Sequence, residues 1–173
     1  RQVGVDADGT VCCCGLVTVD HCGTSSMQQG WPKCPQKRWS ATPEDGGAVT
    51  QDAPSEVHMK VADGVGIRSS EQTCYPFGDK VCFRIDSMDR AACFPFALRI
   101  PSWSEETRLL LNGKPITCPV GEERLAFIAR EWQTGDELEL RFSPRIRLAT
   151  WEENARTVER GPPLFARTAP ATY

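Results

Sequence analysis

Cys22, with His21 before it and Gly23 after it, is the residue best placed to do covalent chemistry. A thiol becomes a nucleophile or a metal ligand when a metal, a cation or a helix N-terminus lowers its pKa. The Thr24-Ser25-Ser26 stretch that follows could cap a short helix, whose backbone N–H groups would stabilise a thiolate. Without such a partner Cys22 is an ordinary free thiol. His21 and the Cys12-Cys13-Cys14 run suggest a metal, but zinc needs three or four donors around one point. His21 and Cys22 are adjacent, so an extended backbone points them apart, and the cysteine run lacks the C-x₂-C spacing of a good chelate.

The other reactive types lead less far. There are nine cysteines, an odd number that cannot pair completely within one chain. Three are consecutive, and neighbours in a run can hardly bond to one another without strain. Mostly free thiols in a reducing compartment is the reading that follows. Cys82 and Cys93 sit where a strand would place a small apolar side chain. His58 lies in a strand-like run without a sequence partner and reads as a surface or edge histidine. Paired carboxylates of the glycosidase kind are not identifiable: Glu105-Glu106, Glu122-Glu123 and Glu152-Glu153 fall in turns or at strand ends. No phosphate loop, nucleophile elbow or zinc helix is present.

The elements that must position these groups are mainly strands. Residues 1–40 are rich in Gly, Cys, Ser and Gln and show no sustained period; a short helix could start at Ser25 but would stop at Gly30 and Pro32. Thr42 to Gly47 is a turn-rich link. Strands are predicted at Ala48 to Gln51, Ser55 to Val61, Gln72 to Phe77, Lys80 to Asp86, Pro95 to Ile100, Arg108 to Leu111, Arg124 to Arg130, Glu137 to Phe142, Arg145 to Leu148 and Thr157 to Arg160. Asp63-Gly64 and Gly135-Asp136 mark turns, Gly78-Asp79 reads as a tight hairpin turn, and Asn112-Gly113 is the strongest hairpin signal. Leu138, Leu140, Phe142, Ile146 and Leu148 should face a core, while Glu137, Glu139 and Arg141 face water. The spacing predicts an antiparallel β-sandwich, jelly-roll-like, over residues 41–165, after an irregular 1–40 segment and before a 166–173 tail. Trp103 and Trp132 read as core or edge packing; the alternative is a sugar-stacking platform.

Composition excludes some partners. The net charge of −3 argues against a nucleic-acid or anionic-membrane surface. No apolar run approaches the roughly 18 residues of a membrane span. No basic n-region with an apolar h-region is visible at the start, so the expected compartment is the cytoplasm. The chain begins with Arg1 and reads as a fragment.

Several motifs, taken together, resemble glycoside hydrolase family 127, the β-L-arabinofuranosidase-like group. They are Gly15-Leu16, Cys22, Met27, Gln29-Gly30-Trp31-Pro32-Lys33, Ala53-Pro54-Ser55-Glu56-Val57 and Tyr75-Pro76-Phe77, followed by Leu98-Arg99-Ile100-Pro101-Ser102-Trp103, Leu111-Asn112-Gly113, Arg130-Glu131-Trp132 with Gly135-Asp136, and Glu159-Arg160-Gly161-Pro162. The resemblance implies a two-part retaining enzyme: an (α/α)₆ barrel carries the active site and a β-sandwich follows it. It also implies a zinc-held cysteine nucleophile, a glutamate acid/base and arabinose-containing glycans as substrates. Cys22 falls on the first position of the family's Cys-Cys pair, the nucleophile position and a zinc ligand; the second position is Gly23 here, which has no side chain to ligate metal. Ser26 stands where the family usually has Asn. The remaining ligands and the acid/base belong to an upstream barrel, so residues 1–40 would be the end of that barrel. This chain would bind no zinc and hydrolyse nothing by itself. The alternative is a non-catalytic β-sandwich that binds carbohydrate or packs against a partner.

Overall fold

Branched and aromatic residues recurring every second position build the molecule, because successive side chains of a strand point to opposite faces. The computed structural model describes residues 4–5, 11–12, 30, 33–151 and 156–165. It divides into two units, Arg1–Lys37 and Arg38–Tyr173. In the first, β1 (Gly4–Val5) pairs antiparallel with β2 (Val11–Cys12), and residues 33–36 are helical.

The second unit holds the core. One sheet has six strands in the order β10-β9-β12-β7-β6-β5. These are β5 (Ser55–Val61), β6 (Val65–Thr73), β7 (Lys80–Met88), β9 (Arg108–Leu111), β10 (Lys114–Ile116) and β12 (Glu137–Arg141). The other has four, β11-β8-β4-β3, comprising β3 (Trp39–Ala41), β4 (Gly47–Val49), β8 (Ala92–Arg99) and β11 (Leu125–Trp132). Val61, Val65, Ile67, Phe83, Leu138 and Leu140 of the first meet Val49, Phe94, Phe96, Leu98, Ile128 and Trp132 of the second in one buried cluster. Phe83 and Phe96 touch edge to face across it at 5.7 Å, and Trp39 meets both rings. The architecture is therefore mainly β and sandwich-like. A third, three-stranded sheet follows: β13 (Ile146–Thr150), β14 (Arg156–Arg160) and β15 (Leu164–Phe165).

Four expectations need correction. The pairing is not wholly antiparallel: β4 runs parallel to β8, because the chain leaves β4 for the other sheet and returns to enter β8 from the same end. The strand expected at Gln72 to Phe77 lies at Val65–Thr73, so Gly78-Asp79 is not a two-residue turn. Instead the Phe77 and Gly78 N–H groups both donate to Cys74 O, and Tyr75 N–H donates to Thr73 Oγ1, closing a longer loop before β7. Cys93 is exposed, since the side chain turned inward is its neighbour Phe94. Ile146 and Leu148 do not face the core: they are 72% and 69% exposed on β13, outside the two packed sheets. The irregular segment read as the end of a helical barrel lies largely outside the described residues.

Candidate functional site

Most charged side chains here point to water, so a carboxylate on an inner sheet face is the exception. On β6 the inward positions run Val65, Ile67, Ser69, Glu71, and Glu71 is only 2% exposed. Its Oε1 accepts the Ala53 N–H at 2.8 Å and its Oε2 accepts Ser55 Oγ at 3.1 Å. Ser55 Oγ in turn accepts the Trp39 indole N–H at 3.0 Å. Burial pushes the Glu71 carboxyl up to about 7, and the nearby charge of Asp52 adds to it. Asp52 is pushed up to about 6, also by burial, with the Arg99 guanidinium partly offsetting this. Tyr75 beside them is raised by burial and then by Asp52. Sequence reading missed this pair because the β6 strand was misplaced; the available signal was an acid at the fourth inward position of V-G-I-R-S-S-E.

A second cluster lies on the outer face of the six-stranded sheet. Glu139 pairs across the ladder with Cys82, and the donor atoms of Cys82, Glu137 and Glu139 lie within 4.8 Å of one another. Such a set could hold a metal ion. Lys80 Nζ and Arg141 Nε already engage both oxygens of Glu139, however, so an ion would have to displace a cation. Hydrogen bonding from Lys80 and then Arg141 holds the Glu139 carboxyl below its ordinary range. Its contribution to stability is thus present above the ordinary Glu pKa and lost as pH falls. Glu139, expected in water, is buried by these two side chains. Burial raises the Cys82 thiol, the reverse of what an activated nucleophile needs. The set does not fit a zinc-thiolate catalytic centre.

The motif residues prove to be joints between strands. Asn112 and Gly113 both take positive φ, +50° and +77°, and close the β9–β10 hairpin. Asn112 Nδ2 donates to buried Asp136 Oδ1 at 2.7 Å, and Asn112 Oδ1 accepts the Glu137 N–H at 2.8 Å. Asp136 Oδ2 accepts the Gln133 N–H, and Arg130 sits 3.9 Å from it and 5.2 Å from the centre of the Trp132 ring. Trp132 donates to Phe94 O at 3.0 Å from inside the core. Trp103 packs edge to face on Phe142 at 5.2 Å. Gly161, at φ +63°, lies against Trp103 and Pro144, where an added Cβ would come within 3.4 Å and 3.3 Å of them. Arg160 holds Asp79 at 2.6 Å. The core-packing reading of Trp103 and Trp132 holds.

Cys22, His21, Gly23, Ser26 and Met27, the positions on which the nucleophile and zinc expectation rests, lie outside the described residues, as do Cys14 and the Glu152-Glu153 pair. His58 is exposed on the edge strand β5 beside Glu56, 3.0 Å away, as expected. Glu105 pairs with Arg145 at 2.7 Å, and Glu122 and Glu123 are exposed. Cys74, Cys82, Cys93 and Cys118 carry free thiols. Among the described residues no helix is long and apolar enough to cross a membrane.

Residues 48–144 match the family model described as Beta-L-arabinofuranosidase, GH127 middle domain. No curated protein matches the chain. Among solved structures it is similar to Ara127N-Se, a GH127 beta-L-arabinofuranosidase from Geobacillus Stearothermophilus T6, at 25% identity and a TM-score of 0.67 over 76% of this chain and 21% of that one. A structure described as a glycoside hydrolase aligns at 21% identity and TM-score 0.74, covering 84% of this chain and 25% of its own. The GH127 Beta-arabinofuranosidase BT3674 aligns at 22% identity and TM-score 0.71, covering 83% and 25%. At these identities the last two show the fold. The chain spans between a fifth and a quarter of the length of these relatives.

Proposed function

The chain belongs to the family described as Beta-L-arabinofuranosidase, GH127 middle domain, and on that premise we propose that it is the β-sandwich part, jelly-roll-like, of a retaining glycoside hydrolase of cytoplasmic carbohydrate metabolism. The observation that carries this reading is the coincidence of the matched residues 48–144 with the two packed sheets. In this reading catalysis on arabinose-containing glycans belongs to a helical barrel preceding the sandwich. Cys22 keeps the nucleophile position by resemblance, and zinc would lower its pKa there. Gly23 removes one side-chain ligand, so the chain alone holds no complete centre. Trp132 is buried in the core and Trp103 packs against it, which takes away the two rings on which the sugar-stacking alternative rested.

The test is an aryl β-L-arabinofuranoside assay on the chain alone and with a family barrel supplied. We expect no turnover alone. Turnover by the isolated chain that disappears in Cys22→Ser would overturn the proposal.

A further inference from the structure

A cavity of about 330 Å³ lies between the β9–β10 hairpin, Ile100 just after β8 and the 117–120 segment that leads into β11. Ile100, Leu109, Ile116 and Val120 give it an apolar lining, and Arg108 and Arg141 are the only charged residues in that lining. The fold fixes its walls. Asn112 and Gly113 close the hairpin, Val120 bridges to Ala126 of β11, and Cys118 Sγ donates to Phe127 O at 3.1 Å. The two arginines are cross-strand neighbours, and on its other side Arg141 stands opposite Lys80. Three cations thus share one row across β9, β12 and β7. Like charges set directly opposite one another destabilise a ladder. Glu139 answers two of them, engaging Lys80 Nζ and Arg141 Nε. Arg108 is exposed, and among the described residues it has no ion pair.

We propose that this cavity binds a small amphiphilic anion, in its simplest form a medium-chain carboxylate, with the apolar body against Ile100, Leu109, Ile116 and Val120 and the head on Arg108 and Arg141. Ligand pockets are mostly apolar and largely preformed, from about 300 Å³ upward, with a few polar groups that fix orientation. A cavity of this size suits a short chain and not an oligosaccharide. A guanidinium matches a carboxylate with two parallel N–H···O bonds. The incoming anion also relieves the row of cations that Glu139 alone leaves in excess. Charge and lining select against other occupants. A cation is repelled, and a neutral chain leaves the arginines unanswered. A sugar meets no aromatic ring and no side-chain carboxylate or amide in the lining. Every lining residue lies within the matched span 48–144, so the test needs no upstream barrel and stands or falls apart from the glycosidase reading.

The experiment titrates the full chain with octanoate, octan-1-ol, acetate and arabinose while following backbone amide resonances. Octanoate should shift Leu109, Ile116 and Cys118 saturably. Octan-1-ol should bind there about tenfold or more weakly, because it lacks the charge-assisted bonds, and acetate and arabinose should leave these resonances unmoved. Arg108→Gln, at an exposed side chain without an ion pair, should weaken octanoate by about tenfold and leave octan-1-ol unchanged. Raised salt should weaken octanoate alone. No saturable shift with octanoate overturns the proposal, as does octan-1-ol binding equally well or an unchanged octanoate affinity in Arg108→Gln. Arabinose shifting the same resonances would make this a sugar pocket and overturn it too. So would octanoate shifts confined to β13–β15, which mean association with the exposed apolar sheet. Should a family barrel supplied separately move Leu109, Ile116 and Cys118 where octanoate does not, the cavity is a joint between domains and the proposal falls.

Discussion

Asp136 is charged, buried and satisfied, and its partners explain why the chain keeps it. One oxygen takes Asn112 Nδ2 and the other takes the Gln133 N–H, with Arg130 at 3.9 Å. Removing one side of such an arrangement leaves the rest desolvated and unpaired. We expect Asp136→Ala to cost about 2–4 kcal/mol and Asn112→Ala about 1–3 kcal/mol. Chemical denaturation of the two single variants and the double should show them to be far from additive, with a coupling of about 1 kcal/mol or more. Additive losses would mean that the two side chains act separately. The sequence displayed Asn112-Gly113 and Gly135-Asp136 as two unrelated turns, and nothing in their spacing said that one seals the other. Glu71 was hidden for a different reason: a carboxylate on an apolar strand face contradicts the pattern by which the strand is recognised. Cys22 was legible only as a residue type, because a nucleophile is defined by neighbours brought from elsewhere in space.

Strands whose alternation was uninterrupted were read correctly. β5 and β9 have the predicted limits, and Leu138, Leu140 and Phe142 are buried as expected. β6 failed because Gly66 and the Ser69-Ser70 pair mask its period, and because β7 carries an extra residue, Asp86, at the register shift opposite Arg68 and Ser69. β13 differs from these strands: its alternation announces an apolar face without saying whether anything covers it. What fastens the third sheet is local. Gly161 reaches Trp103 and Pro144 with a left-handed backbone, and Arg160 reaches Asp79. Gly161→Ala adds a Cβ at φ +63°, beside the Trp103 ring. We expect it to cost about 1–2 kcal/mol and to loosen β13–β15 while leaving the two packed sheets intact. Hydrogen exchange should show lost protection in β14 with β7 and β12 unchanged; uniform loss across all three sheets would contradict a local fastening.

The whole molecule presents an apolar sheet to solvent. By register Leu148, Val158 and Phe165 share one face of β13–β15 with Ile146, and all four are exposed. Patches of this kind drive association. Light scattering should show the chain self-associating as concentration rises, and Leu148→Glu with Phe165→Glu should return it to a monomer; a monomer at all concentrations before substitution would exclude the effect. The order of the six-stranded sheet has another consequence. β12 lies between β7 and β9 and pairs with both, yet it is among the last of that sheet's residues to be made. During synthesis the β5–β7 meander and the β9–β10 hairpin must wait, each with a bare edge, until Glu137–Arg141 clears the ribosome and slots between them. A ribosome stalled just short of that point would hold a chain with two open templates for aggregation, and one stalled a few residues beyond the exit would hold a finished sheet.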